Sequence, residues 1–267
     1  MHFHDCHSAM THSRPIISRQ ATRQRGVALF VVLVFVMLSM LLALWASRSS
    51  LFNQMIVSND ADYQRAFTAA QAMLQDAELD MLRVSPSGDP CVRVADNPKV
   101  CRASGVLYPP QGSEEVAPLI ASLSGIPDTQ CKDALCAKRG TDGTHQGQDF
   151  WNDEALMQEM QKDGVGARYG EYTGSVHSSN TAELGAAGSA ILNQTGDGNV
   201  GAWYWIEVLP YSDAAGNSSL VVGSTRNLLP ISTDPLVVYR ITAIAYGRKN
   251  GTRVVLQQTF APQKLKN

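Results

Sequence analysis

The sequence predicts an α+β fold: a long N-terminal helix, membrane-spanning in its first half, packed on a C-terminal antiparallel sheet, with a loop-rich, disulfide-containing region between them. Three observations predict it. No proline or glycine interrupts the 58 residues from Val27 to Val84. Residues 85–267 hold 20 of the 21 glycines and 11 of the 12 prolines, a composition of loops and short strands rather than of a helical bundle. The C-terminal part carries runs of alternating β-branched and aromatic residues.

Bulk composition excludes several classes. The 267 residues are 44% apolar and 17% charged, with a formal net charge of −2, so the chain is neither collagen-like nor strongly disordered. A nucleic-acid binder normally carries a clearly basic domain, and this chain does not. Without residues 1–26 the balance is 18 basic against 23 acidic residues, which gives no overall case for binding phosphates or anionic lipid.

The front end is a leader followed by a membrane helix. Residues 1–26 contain Arg14, Arg19, Arg23 and Arg25 and a single acid, Asp5. Val27 to Ala46 is uncharged, with Ser39 its only polar side chain. Twenty residues at 1.5 Å rise span about 30 Å, the hydrocarbon thickness of a bilayer. Soluble helices are rarely apolar on every face. Arginines precede the span, so the N-terminus is expected in the cytoplasm and residues beyond about 47 on the opposite side. A secretory signal has a shorter apolar stretch and a small-x-small cleavage site, whereas this span ends in Ala43-Leu44-Trp45-Ala46-Ser47. The junction Arg23-Gln24-Arg25-Gly26-Val27-Ala28-Leu29 instead resembles the processing site of type IV prepilins. That resemblance implies cleavage between Gly26 and Val27 by a prepilin peptidase on the cytoplasmic side, and N-methylation of Val27. The leader is long for that family, and Met10 is an alternative start.

Beyond Arg48 the helix becomes amphipathic. Phe52, Ile56, Tyr63, Phe67, Ala70, Leu74, Ala77 and Met81 recur at helical spacing, with Asn59, Asp60, Asp62, Gln64, Gln75 and Asp80 between them. This stripe is expected to face the chain's own domain, and Pro86 and Gly88 to end the helix. One continuous helix over 27–84 would be roughly 87 Å long. With the Arg25-Gly26-Val27-Ala28-Leu29 junction, an arginine just past the span and the segment Ala66 to Glu78 (AFTAAQAMLQDAE), residues 23–83 resemble the PilX family of type IV pilus minor pilins. Family members more often carry glutamate at the position of Gln71.

The resemblance also points to one departure from major pilins. Those carry a glutamate at the fifth mature position, occupied here by Val31, which is thought to pair with a neighbouring subunit's N-terminal amine. A carboxylate at the centre of a bilayer costs about 2.5–3.5 kcal/mol on insertion scales, so it persists only where it has work. PilX-like proteins and the tip pseudopilins of type II secretion generally lack it.

Cys6 lies in the leader; four cysteines remain, Cys91, Cys101, Cys131 and Cys136. An even number in an exported domain indicates two disulfides, with three connectivities open. The pairs Cys91–Cys101 and Cys131–Cys136 are favoured because both loops are local and rich in proline or turn residues. The spacings C-x9-C and C-x4-C do not form two tight chelating pairs for zinc. Asp149 to Asp163 is expected to form a short helix with Phe150, Leu156 and Met160 inward, while Gly164 to Gly201 reads as loop. Strands are expected at Trp203–Leu209, Leu220–Val222, Leu236–Tyr246 and Arg253–Phe260, with a turn at Gly247–Thr252. The last strands also resemble the end of PilX-like proteins.

No catalytic constellation emerges. Gly196-Asp197-Gly198-Asn199-Val200-Gly201 matches G-x-G-x-x-G, yet it follows a polar loop and opens a strand, so it reads as a flexible loop. Asp142, Asp149, Asp153 and Asp197 do not fall into a calcium-loop frame. His145 and His177 lie beside no nucleophile motif. Three glycosylation sequons (Asn193, Asn217, Asn250) read as turns. Trp203, Tyr204 and Trp205 are a candidate contact surface, although one face of that strand must enter the core.

The resemblance therefore implies a non-enzymatic minor pilin, with no cofactor, no metal, no nucleic acid and no small-molecule substrate. It would prime type IV pilus assembly and sit at or near the filament tip. Its implied partners are other minor pilins, a tip adhesin, the prepilin peptidase and the inner membrane. Two rivals share features of the chain: a minor pseudopilin of type II secretion, and a single-pass anchored periplasmic binding protein or enzyme.

Overall fold

The computed structural model describes residues 25–262 apart from 104, 141–146, 176–189, 195, 197 and 211–235. The expected strand at Leu220–Val222, His145, His177, Asp142 and Asp197 lie outside the described residues. The chain divides into two compact units, Met1–Met55 and Ile56–Asn267. Helix α1, Arg25–Leu82, runs through both. In the second unit follow α2 (Ser113–Ser124), β1 (Cys131–Lys132), β2 (Leu135–Cys136), α3 (Glu154–Met160), β3 (Ala202–Pro210), β4 (Val237–Tyr246) and β5 (Arg253–Phe260).

The five strands form one sheet in the order β1-β2-β3-β4-β5. β3, β4 and β5 are antiparallel neighbours, Trp203 opposite Ile244 and Ala245 opposite Val254. The sheet is mixed, because β2 joins β3 in parallel through Leu135↔Ile206 and Cys136↔Glu207. Two-residue strands are too short to show any alternation, so nothing in the sequence pattern announces this extension.

The second half of α1 covers one face of the sheet. Tyr204, Ile206, Val208, Ile241, Ala243 and Ala245 meet Ala66, Ala69, Ala70, Met73 and Ala77 in one core. On the other face Trp203, Trp205 and Ile244 pack with Phe150, Leu156, Met157 and Met160 of α3 and the turn before it. Sheet faces about 10 Å from their covering layer exclude water on both sides. That explains why β3 is buried over nearly its whole length instead of alternating. Trp203, Tyr204 and Trp205 are accordingly core residues, and the expected contact surface there is not one.

Local signals account for the helices. Asp153 caps α3, its carboxylate accepting from the N–H groups of Ala155 and Leu156 at 3.0 and 3.1 Å. Phe150, Leu156 and Met160 point inward as their spacing predicts. Helix α2 was not legible, since Pro109, Pro110, Gly112 and the internal Pro118 all read as breakers. It forms because Val116, Leu119 and Leu123, one helical face, are buried in the main core. At Gly166 a Cβ would come within 2.7 Å of the Trp205 indole nitrogen and 2.9 Å of the Met160 carbonyl; the bare backbone lets that indole N–H donate to Met160 O at 3.0 Å.

Candidate assembly element

Helix α1 is the element in which sequence and structure both concentrate unusual chemistry. Every residue from Val27 to Asp60 is exposed, including Phe30, Leu33, Phe35, Leu38, Leu41 and Trp45. An apolar surface of that extent around a whole helix is not stable in water, at roughly 25 cal/mol per Å² of exposed apolar area. The helix is long and apolar enough to cross a membrane. Ser39, the one polar side chain of the span, donates to the Val36 carbonyl at 2.9 Å, so it presents no unsatisfied hydroxyl to lipid. Gly26 lies within α1, as does Val27, whose side chain is exposed.

The second half of α1 is built differently. Its buried face is Asp62, Ala66, Ala69, Ala70, Met73, Asp76, Ala77, Asp80 and Met81, a three-and-four repeat. This differs from the expected stripe: Tyr63 is exposed and stacks on Phe67, Phe67 and Leu74 lie at the margin, and Asp62 and Asp80 face inward. The face is rotated toward the alanines because only small side chains let the helix approach a sheet surface that already carries Tyr204 and Tyr239.

Each inward aspartate holds a different loop. The Asp62 carboxylate accepts from the main-chain N–H groups of Arg248 and Lys249 at 2.9 and 3.1 Å, at the turn between β4 and β5. Burial pushes its pKa up, but these hydrogen bonds and the Thr252 hydroxyl outweigh that and hold it below the ordinary value. Asp76 accepts from Gly170 N–H at 2.8 Å and from the hydroxyls of Thr173 and Ser175 at 2.5 and 3.0 Å. Burial dominates here and, helped by the Asp80 charge, pushes the Asp76 carboxyl up to about 6 despite those three donors.

Asp80 is paired with Arg102 in a bidentate bridge, Nε and Nη2 lying 2.8 and 2.6 Å from its two oxygens, with both side chains buried. The Tyr204 hydroxyl donates to the same carboxylate at 3.0 Å. Arg102 Nη1 donates to the carbonyls of Leu107 and Asp133, and the Tyr172 ring lies 4.0 Å from the guanidinium carbon. Burial alone would lower the Arg102 pKa, but the Asp80 charge and hydrogen bonds raise it above its ordinary value. Burial, with Asp80 beside it, likewise keeps the Tyr204 phenol protonated.

The two disulfides flank this cage. Cys91 is bonded to Cys101, with Cα atoms 5.6 Å apart, immediately before Arg102. Cys101 itself is held by its N–H donating to Tyr172 O at 2.8 Å. Cys131 is bonded to Cys136 across the β1–β2 hairpin, Cα atoms 4.0 Å apart. The two residues at that hairpin's tip, Asp133 and Ala134, both have positive φ (50° and 64°), the geometry of a type I′ turn. The Asp133 carbonyl in that turn is one of the acceptors of Arg102.

The remaining sequence candidates do not converge. The carbonyls of Gln194, Gly196 and Val200 point at the Arg168 guanidinium, which stacks 3.5 Å from the Trp203 ring centroid. That G-x-G-x-x-G loop therefore presents acceptors inward, whereas a phosphate cradle presents N–H donors. Asp149 accepts from Asn152 and Asp153 caps α3. Among the described residues no three His, Cys, Asp or Glu side chains gather as a metal site. Sequence reasoning missed Arg102 and Asp76, and placed Asp62 and Asp80 outward. The available signal was the spacing of Asp62, Asp76 and Asp80 along the helix. Separations of 14 and 4 residues return to the same face.

Comparison with known proteins reports on both ends of the chain. Residues 25–75 match the family model described as PilX N-terminal. Residues 132–262 match the model described as Type IV pilus assembly protein PilX C-term. No curated protein and no solved structure matches the chain.

Proposed function

From the premise that this chain is a PilX-like type IV pilus assembly protein of the minor-pilin type, we propose that it primes filament assembly and occupies the filament tip or a position near it. The carrying observation is the exposed apolar surface on every side of Val27 to Ala46. Before assembly that surface is dissolved in the inner membrane, with the N-terminus cytoplasmic and residues 85–267 periplasmic. During assembly, helices of other minor pilins replace lipid around it, and van der Waals packing between such helices drives the exchange. Residues 1–26 are the leader, the prepilin peptidase cuts between Gly26 and Val27, and Val27 is N-methylated.

Val31 supports the tip position. A subunit with no neighbour above it has no amine to neutralise, so it does without the intramembrane carboxylate, which would cost energy unpaired. The second unit then presents its surface to other minor pilins and to a tip adhesin. The role is mechanical and non-enzymatic. The inward aspartates and the two disulfides serve it by fixing Ile56 to Leu82 to its domain under pulling force.

The decisive measurement is the mature N-terminus of membrane-extracted protein, by mass spectrometry, with and without the prepilin peptidase. N-methylated Val27 that disappears with the peptidase is expected. A terminus at Met1 or Met10, or a cut near Ser47, overturns the proposal. In the same strain Val31→Glu is expected to spread the subunit along the shaft; continued scarcity there removes the argument for the tip. Deleting the gene is expected to abolish twitching and leave exoprotein secretion intact, the reverse of the outcome for a type II pseudopilin.

A further inference from the structure

The two edges of the sheet are treated differently. At one end β1 is a two-residue strand, too short to template another chain. At the other end β5 runs for eight residues, Arg253–Phe260, with no proline and no lysine among them. Its ladder can be phased from the turn. Tyr246 N–H donates toward β3, to Gly201 O at 2.9 Å, and Gly247 N–H donates across the turn to Thr252 O at 2.8 Å. In an antiparallel pair, alternate residues turn their main-chain groups to alternate neighbours. With Ala245 opposite Val254 and Ala243 opposite Leu256, the groups of Val254, Leu256, Gln258 and Phe260 face β4. Those of Arg253, Val255, Gln257 and Thr259 face outward. Among the described residues no hydrogen bond reaches these outward groups.

A groove of about 660 Å³ opens at the start of the same strand, lined by the β4–β5 turn and by Gln194, Asn199 and Val200. Three cations line it, Arg248, Lys249 and Arg253, all exposed. Lys249 Nζ donates to Ser58 and Asn59, and Arg253 donates to the Trp151 carbonyl at 2.5 Å. Two acids lie by the groove against its three cations: Asp62 is turned away under the turn, its charge taken up by the N–H groups of residues 248 and 249, and Glu154, exposed, accepts from Asn199 Nδ2 at 3.0 Å. The groove is thus locally basic on a chain whose exported part is acidic overall.

We propose that the outer edge of β5 and the basic groove at its start form one docking site for an extended, acidic segment of a partner protein. The segment adds as a sixth strand, its main chain pairing with Arg253, Val255, Gln257 and Thr259, and its acidic side chains sit among Arg248, Lys249 and Arg253. Main-chain pairing supplies affinity that is indifferent to sequence, and the cations select the acidic partner and its register. This goes beyond the assembly role and does not depend on it. Leader processing is read in cells, strand addition on purified protein, so either fails without the other.

The test uses the full chain in detergent micelles and fluorescein-labelled, C-terminally amidated decapeptides of alternating serine and valine, with an Asp-Asp pair at either end. Anisotropy is expected to report binding of one Asp-Asp orientation, weakened at least tenfold by Lys-Lys in place of Asp-Asp and by Arg248→Glu. N-methylation of alternate peptide nitrogens and Gln257→Pro are each expected to weaken it at least tenfold. The Gln257 N–H points outward, where proline is tolerated on an edge strand, and the N-methylated peptide leaves the protein unaltered. Binding that withstands both changes is charge attraction alone and overturns the proposal. So does no binding of either peptide, or dimerisation of the chain abolished by Gln257→Pro, which would make a second copy the occupant.

Discussion

The two halves of α1 share one backbone conformation and have opposite surfaces. From Val27 to Ala46 the helix carries bulky aliphatic and aromatic side chains on every side, all exposed. From Asp62 to Met81 it turns alanines and three aspartates inward and leaves Tyr63 outside. The first half can be satisfied by any apolar surroundings, lipid or like helices, because dispersion and hydrophobic burial have no direction. The second half can be satisfied only by its own domain, because each carboxylate needs particular donors at hydrogen-bond distance. One part accepts any apolar surroundings and the other only its own domain.

Breaking the fixed half at Arg102 should have the largest effect. Arg102→Met leaves Asp80 buried with the Tyr204 hydroxyl as its remaining donor among those described. Removing one member of a buried pair costs about 3–5 kcal/mol. Chemical denaturation of the micelle-bound chain, followed by tryptophan fluorescence, should show that loss. A change below about 1 kcal/mol would mean that the pair is a passenger.

Acidity probes the same face through Asp76. Its folded pKa of about 6 lies above the ordinary aspartate value of 3.8. Between those values the folded state holds a proton that the unfolded chain releases. Its contribution to stability is therefore present below about pH 4 and is lost as pH rises through 6. The full difference is about 3 kcal/mol. Relative to Asp76→Asn, the native chain should become less stable between pH 4 and 7. Parallel curves for the two proteins would refute a raised pKa.

The smallest effect sharpens the comparison most. Ala70→Leu forces added volume between helix and sheet and should cost about 1–3 kcal/mol by the same denaturation assay. Leu41→Ala in the first half should leave that transition within about 0.5 kcal/mol. Equal effects of the two substitutions would erase the distinction between the halves.

Much of this architecture can be read from residues alone. The unbroken run to Val84, the charge-free span and the β-branched and aromatic runs of β3, β4 and β5 each act over a few neighbouring residues, where propensity and periodicity suffice. Helix α2 escaped because its prolines argue locally against a helix that burial of Val116, Leu119 and Leu123 stabilises from outside. The tryptophans of β3 were misread because alternation tells which residues share a face. It does not tell whether a second layer covers the other face.

What the sequence by itself determined is therefore the helix, its division into a membrane-like half and an amphipathic half, and the antiparallel strands. These follow from patterns repeated every two or 3.6 residues. Only the tertiary structure decided which side of the amphipathic half lies inward, and the choice went against the larger apolar residues. Helix rotation is set by the surface it meets. Here that surface already carries Tyr204 and Tyr239, so alanine gives the close approach, and Arg102, the 170–175 turn and the β4–β5 turn supply the partners that make the buried Asp80, Asp76 and Asp62 tolerable.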